Sequence, residues 1–123
     1  MPWSARAHTT LPLIEIIYAG RVTPAELKDA VRSVARLIHE TGRKLILTDC
    51  TDLAGGHSIL DLYELVEDMA RIPEARGIQE AVIMAHEAAL SEEVRFWEIA
   101  SRNRGIIVRT FAERTAAVNW LLG

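Results

Sequence analysis

The stretch LPLIEIIYAGRVTPAELKDAVRSVARLIHETGRKLILTD, residues 11–49, decides the fold class of this chain. Residues 11–19 are apolar enough for a mostly buried strand, and Gly20 ends it. A helical pattern follows, and residues 44–49, KLILTD, then read as a second short buried strand. A strand, a helix and a second strand in this order favour a parallel βαβ unit with the helix packed on the sheet.

The helix inside this stretch has a clear beginning, inner face and end. Thr23 and Glu26 predict a capping box, in which each side chain binds the backbone amide of the other residue, and Pro24 suits the first helical position. Gly42 is a natural C-terminal stop. The apolar residues that recur at helical spacing between these ends are Leu27, Val31, Val34 and Ile38.

The same alternation continues to the end of the chain. Serine begins the next two helices, and the predicted inner face of the first of them holds Ile59, Leu62, Tyr63, Val66 and Met69. The later elements are strands at 81–85 and 106–110 and helices at 58–70, 91–104 and 113–122. We therefore predict an α/β fold: one domain, residues 1–123, with a four- or five-stranded, mainly parallel (mixed) sheet and helices on its faces. Residues 3–10 are the predicted antiparallel edge strand.

Composition narrows the functional classes. The chain has 123 residues, half of them hydrophobic, and a formal charge of −3, which gives no electrostatic reason to expect nucleic-acid binding. Cys50 is the only cysteine, so no intrachain disulfide or cysteine-based metal cluster is expected. The N-terminus lacks the apolar core of a signal peptide, and no run is long enough for a membrane span. We expect a cytoplasmic protein without a cofactor or metal.

Several short motifs carry a resemblance to a known family. They are Gly20-Arg21-Val22-Thr23 with Glu26-Leu27, the strand LILTD, Asn103-Arg104-Gly105 with the strand 107–111, and the final helix 116–121. Together they span nearly the whole chain, which resembles the STAS superfamily and, within it, the stand-alone SpoIIAA-like branch. The resemblance implies a four- or five-stranded sheet packed by helices and no enzyme activity. It also implies two roles: a regulatory protein-binding module, as in anti-sigma-factor antagonists, or a binder of hydrophobic ligands, since the fold is likened to lipid-binding CRAL-TRIO domains.

The segment TDCTDLAGGHS, residues 48–58, lies where the antagonists carry their switch. In those proteins, a serine at the start of the second helix, within an Asp-Ser-Ser-Gly-like motif, is phosphorylated by a partner kinase. This chain has Ala54-Gly55-Gly56-His57-Ser58 there, so only Ser58 matches in kind. Ser58 is predicted first as a helix N-cap and second as a phosphoacceptor that switches partner binding. Flexible turn glycines explain Gly55 and Gly56 better than an anion-binding loop does, because no Walker lysine follows them.

We predict that the working surface is the 50–58 loop together with helix 58–70. That helix carries acidic residues and no basic one. The predicted partner is another protein or a second copy of this chain. The residues assigned to this partner surface are Gly55, Gly56, His57, Asp61 and Glu64, with Ser58 as the switch.

Two other functional classes remain open. The first is a binder of a hydrophobic small molecule or lipid-like ligand, with an apolar ligand or dimer surface at Tyr63, Phe96 and Trp97 and a cavity or groove beneath the helices. The second is a hydrolase-type enzyme at the ends of the strands. No G-x-S-x-G elbow is present, so catalysis is not expected. The residues that such an enzyme would bring together are Asp49, Cys50, His57, Ser58, His86 and Glu87.

Overall fold

The computed structural model describes residues 2–85 and 91–123, and within these ranges the chain forms five β-strands and four α-helices. In chain order they are β1 (Trp3–Ala7), β2 (Leu13–Gly20), α1 (Pro24–Thr41), β3 (Leu45–Leu53), α2 (Ile59–Ala70), a 3₁₀ turn (Pro73–Ala75), β4 (Gln79–Ile83), α3 (Glu92–Arg102), β5 (Ile107–Phe111) and α4 (Arg114–Leu122). None of the helices in these ranges is long and apolar enough to cross a membrane.

The strands form one mixed sheet in the order β1-β2-β3-β4-β5. β1 is antiparallel to β2, with Trp3 opposite Tyr18, and every other neighbouring pair is parallel. The predicted fold class is therefore confirmed, including the antiparallel edge strand near the N-terminus.

The two faces of the sheet are covered differently. Strand side chains alternate between the two faces of the sheet. In β2, β4, β5 and the first part of β3, even-numbered residues such as Ile16, Ile46, Thr48, Glu80 and Val82 lie on the side of α1, α2 and α3, which we call the three-helix face. Odd-numbered residues of the same strands lie on the side of α4, which we call the one-helix face; its buried strand residues are Leu13, Glu15, Leu47, Ala81 and Ile83, against Ala117 and Leu121 of the helix.

Helix α1 begins and ends as its sequence predicts. Thr23 Oγ1 accepts a hydrogen bond from the Glu26 amide, and Glu26 Oε1 accepts one from the Thr23 amide. Gly42 follows the helix with a φ of 72°, the left-handed conformation that glycine adopts without strain, and its amide binds the Ile38 carbonyl. The local signals at both ends therefore suffice to place this helix.

The predicted inner face of α2 is partly wrong. Val66 is fully buried, and Leu62 and Met69 pack against the core, but Tyr63 is 45% exposed. Leu65, which the prediction left out, is buried instead. The inner stripe runs 62, 65, 66 and 69, the usual i, i+3, i+4, i+7 spacing, and Tyr63 lies off that stripe.

Strand β3 is longer than predicted. It runs to Leu53 rather than ending at Asp49, because Asp52 and Leu53 continue the pairing with Ala19 and Gly20 after a shift in register that places one extra residue in β3. Residues 50–53 of the predicted 50–58 loop are therefore strand, and residues 54–58 connect β3 to α2.

Candidate functional site

A cavity of about 370 Å³ lies between the three-helix face of the sheet and helices α1, α2 and α3. Its walls are mainly apolar and come from every element on that side of the sheet. Representative lining residues are Ile46 on the sheet, Val31 and Val34 on α1, Leu62 and Met69 on α2, and Trp97 on α3. Its volume is in the range of small-molecule sites, and native cores rarely leave voids much larger than a water molecule.

Glu80 lies on an inner strand of the sheet and brings a carboxyl group into the wall of this cavity. It lies on β4, opposite Ile46 of β3 and Val108 of β5, so strands flank it on both sides. Its Oε2 accepts a hydrogen bond of 2.5 Å from the Thr48 hydroxyl. Its Oε1 is buried and has no hydrogen-bond partner among the described residues. The carboxyl group is thus only half satisfied.

The environment of Glu80 favours its neutral form. Burial raises its pKa, and the Thr48 hydroxyl and the nearby Trp97 indole offset only part of this effect. The indole makes no hydrogen bond of ordinary geometry with Oε1. A buried carboxyl without a cationic partner is expected to hold its proton rather than remain ionised.

Two further acidic groups line the cavity beside Glu80. Burial raises the pKa of Cys50 to about 12, and the charges of Glu80 and Asp49 add to the shift. Burial also raises the pKa of Tyr18, again with contributions from Cys50 and Glu80. Both groups are therefore uncharged at neutral pH. A thiol in this state is a poor nucleophile.

The connection between β3 and α2 closes over Val22. The Val22 amide donates to the Gly55 carbonyl at 2.8 Å, and His57 Nδ1 lies 3.1 Å from the Val22 carbonyl, which can only accept. Gly56 has a φ of 103°, and a Cβ there would lie 2.7 Å from the Val22 oxygen. The two glycines lie in the turn, as predicted. Gly56 has a steric role as well, because only glycine fits at this position without displacing backbone.

Ser58 caps α2, as predicted. Its Oγ accepts from the Asp61 amide at 3.2 Å and lies 3.0 Å from Asp61 Oδ2, to which it donates. The same carboxylate accepts from the Ser58 amide, which completes a capping box. A phosphate on this hydroxyl would meet the Asp61 carboxylate, so the predicted switch would have to break the cap.

The predicted aromatic set divides between two places. Trp97 lines the cavity, whereas Tyr63 and Phe96 form a ring pair on the outside, with centroids 6.3 Å apart. The Arg104 guanidinium lies 5.8 Å from the centre of the Tyr63 ring. Exposed residues nearby on the same helices are Leu60 of α2 and Ile99 of α3. The outer surface of α2 and α3 therefore carries an apolar patch separate from the cavity.

The described residues of the predicted enzyme site, Asp49, Cys50, His57 and Ser58, are not brought together as a group. Asp49 and Cys50 are neighbours on β3 and so point to opposite faces: Cys50 lines the cavity, and Asp49 lies 3.8 Å from Arg114 of α4. Ser58 is exposed at the helix cap. His86 and Glu87 lie outside the described residues. Within 2–85 and 91–123, no group of three or more histidine, cysteine, aspartate or glutamate side chains could hold a metal ion.

The sequence prediction missed Glu80. The third strand was placed at 81–85, one step too late to include this residue, whereas β4 begins at Gln79. A signal was present: Glu80 alternates with Val82 and Met84 and so shares their face of the strand. A carboxylate on the apolar side of a central strand is unusual enough to mark a site.

A comparison with solved structures identifies the fold. The chain is similar to an uncharacterised protein of the DUF3478 family from Shewanella loihica PV-4, described as having a SpoIIAA-like fold, with a TM-score of 0.61 and 15% sequence identity. The match covers 97% of this chain and 93% of that one. The chain therefore has a SpoIIAA-like fold. No protein-family model and no curated protein matches the sequence.

Proposed function

We propose that this protein is a non-enzymatic binding domain for a small, largely apolar molecule that enters the cavity under α1, α2 and α3. The observation that carries the proposal is the 370 Å³ cavity with a half-satisfied carboxyl group, Glu80, in its wall. A bound molecule would cover apolar surface that otherwise faces a void, and it would offer the missing partner to Glu80 Oε1.

The chemistry of the cavity supports binding rather than catalysis. A nucleophilic reaction needs an activated group, and the raised pKa of Cys50 keeps its thiol protonated. The Ser58 hydroxyl is engaged by Asp61 and does not line the cavity. The proposal therefore contains no chemical step, and a cytoplasmic location remains a prediction of the sequence.

Mass spectrometry of the protein purified from its own host tests the proposal. Native spectra should contain a small-molecule adduct, which organic extraction releases. The test variant is Ala35→Leu, which adds apolar volume at the cavity wall from α1 and should reduce or abolish the adduct. Leu60→Ala, at an exposed position on the outer patch, should retain it.

A second measurement is independent of what the host supplies. An apolar probe that binds only the folded protein should raise its stability by about 2.7 kcal/mol when present at a hundred times its dissociation constant. A protein that emerges without an adduct, and whose melting temperature no apolar probe changes, would contradict the proposal.

The regulatory, protein-binding role remains the second candidate. It is favoured by the exposed Leu60 and Tyr63 beside the acidic Asp61 and Glu64 at the start of α2. Affinity capture with wild-type, Ser58→Asp and Ser58→Ala proteins tests it. A switch requires Ser58→Asp to change partner binding, whereas Ser58→Ala should lower stability by about 1 kcal/mol through loss of the cap. Unchanged partner binding by Ser58→Asp would remove the switch.

A further inference from the structure

We infer that the ligand of this cavity is an apolar amine, whose ammonium group forms an ion pair with Glu80. The inference rests on the proposed ligand-binding function and specifies its ligand class. It follows from the position of the carboxyl group, from the distribution of charge around the cavity, and from its size.

Glu80 occupies a costly position for a residue without a ligand. Its strand is flanked by β3 and β5, so the side chain cannot reach solvent by a small movement of a sheet edge. Thr48 binds Oε2, while Oε1 is buried without a partner among the described residues. Native proteins rarely leave a buried polar atom unpaired, and an apolar side chain here would avoid that penalty. A donor on the ligand completes the hydrogen bonding of the carboxyl.

The titratable groups that line the cavity favour a cationic ligand over an anionic one. The described residues that line it include the acidic groups of Tyr18, Cys50, Glu80 and Glu93, and no lysine or arginine. His57 is the basic side chain in that lining, and its Nδ1 faces the Val22 carbonyl. A ligand carboxylate would therefore lie beside Glu80 without a positive partner, whereas an ammonium would pair with Glu80 in its ionised form.

Arginines elsewhere in the described structure show what is missing beside Glu80. Arg6 and Arg114 both bind the buried Glu15 on the one-helix face. Arg104, at the end of α3, binds Glu67 and lies over the Tyr63 ring on the outer surface. Among the described residues, no guanidinium lines the cavity to serve Glu80. A cation that pairs with Glu80 would therefore come from the ligand.

The rest of the cavity suits an apolar body. A volume of about 370 Å³ accommodates a small organic molecule, and the walls from α1 and α2 are aliphatic. Trp97 lines the same space and supplies an aromatic ring, which favours a nearby cation. An amine on a short hydrocarbon chain combines both requirements.

Three probes with one chain length and different head groups test the inference: decylamine, decanol and decanoate. Calorimetric titration at pH 7 should rank decylamine first and decanoate last. In Glu80→Gln, which keeps the shape and removes the charge, decylamine should bind at least about tenfold more weakly. Decanol should change by less than about threefold, because its binding uses mainly the apolar walls.

Proton release provides a readout that needs no variant. The groups that interact with Glu80 are Tyr18 from β2, Thr48 and Cys50 from β3, and Trp97 from α3, and none of them carries a charge at neutral pH. The other titratable groups in the described lining are Glu93 of α3 and His57 of the connection between β3 and α2. An ammonium that draws Glu80 into its ionised form should therefore release a proton. Titrations in phosphate and in Tris, whose ionisation enthalpies differ, should give different heats for decylamine and equal heats for decanol.

The possible outcomes separate the two proposals. If decanol or decanoate binds more tightly than decylamine, or if Glu80→Gln binds decylamine like the wild type, the amine is excluded while ligand binding stands. Equal decylamine heats in the two buffers would also exclude the ion pair. If none of the three probes binds, the proposed function fails together with the inference.

Discussion

Two glutamates of the described residues, one on each face of the sheet, lie in opposite environments: Glu15 is buried, whereas Glu80 is half-buried with its Oε1 enclosed. Glu15, on the one-helix face, is 2% exposed and bound by Arg6 and Arg114. Burial alone would raise its pKa, but hydrogen bonds and charge from the two arginines outweigh burial and lower it. Glu80, on the three-helix face, has no such partner, and burial raises its pKa. Both residues are glutamates, and only their neighbours differ.

The packing of the two faces differs in the same direction. The single short helix α4 closes its face, with Ala117 fully buried against Leu13, Leu47 and Ala81. Three helices cover the other face and still leave a cavity of about 370 Å³. The number of covering elements therefore does not decide how well a face is filled. The same substitution should therefore change the free energy of unfolding differently on the two faces.

The largest expected contrast comes from adding volume to each face. Ala117→Leu forces extra methylenes into a filled interface and should lower the free energy of unfolding by about 1–3 kcal/mol. Ala35→Leu places the same side chain at the cavity wall and should instead raise it by about 0.5–1 kcal/mol. Urea unfolding of both variants measures the difference. Equal losses would mean that the cavity wall is as tightly packed as the other face.

The next contrast exchanges each glutamate for glutamine. Glu15→Gln removes the charge from two arginine contacts and should lower the free energy of unfolding at pH 7 by about 2 kcal/mol. Glu80→Gln removes a carboxyl group whose ionisation inside the protein is unfavourable. This variant should leave the free energy of unfolding at that pH unchanged or raise it.

The exposed ion pair between Arg32 and Asp29 provides the surface control for this contrast. Both partners are more than half exposed, so Asp29→Asn should cost less than about 0.5 kcal/mol. A loss on Glu80→Gln as large as that on Glu15→Gln would end the distinction between the two sites.

The pH dependence of stability should also separate the two glutamates. Glu15 has a lowered folded pKa, so its contribution is present above its ordinary value of 4.5 and is lost as the pH falls through the lower, folded value. Glu80 has a raised folded pKa, so its contribution is present below 4.5 and is lost as the pH rises through the folded value.

Chemical unfolding between pH 3 and pH 9 checks these directions. Glu15→Gln should flatten the acid side of the stability curve, and Glu80→Gln should flatten the decline above pH 4.5. Curves that stay parallel to the wild type on both sides would show that neither pKa is shifted in the folded protein.

The smallest effect concerns the reactivity of the Cys50 thiol, which reports on the cavity wall without any substitution. With its pKa raised to about 12, the thiol should react with iodoacetamide at pH 8 at least about a hundredfold more slowly than in the urea-unfolded chain. Mass spectrometry of timed samples measures both rates. A native rate within tenfold of the unfolded rate would contradict the raised pKa and would reopen the case for a reactive cysteine.

Local signals determined much of the fold. The capping box at Thr23, the stop at Gly42 and the apolar strand patterns act over a few residues each, so the sequence displays them directly. The order of strands and helices then restricts the topology, because parallel neighbours need crossover connections. The antiparallel edge strand, predicted at residues 3–10, is observed at Trp3–Ala7. The start of the helix at Ser58 was equally local.

The tertiary structure alone decided the site. Whether Glu15 meets Arg114 depends on residues far apart in the chain, and so does the absence of a partner for Glu80 Oε1 among the described residues. The same holds for Gly56, whose requirement arises from the Val22 backbone, and for α2, where Leu65 is buried and Tyr63 is exposed. In a strand, alternation fixes which face a side chain takes. It does not fix what lies opposite, and in this protein the opposite wall is what separates a paired, close-packed face from one with a cavity.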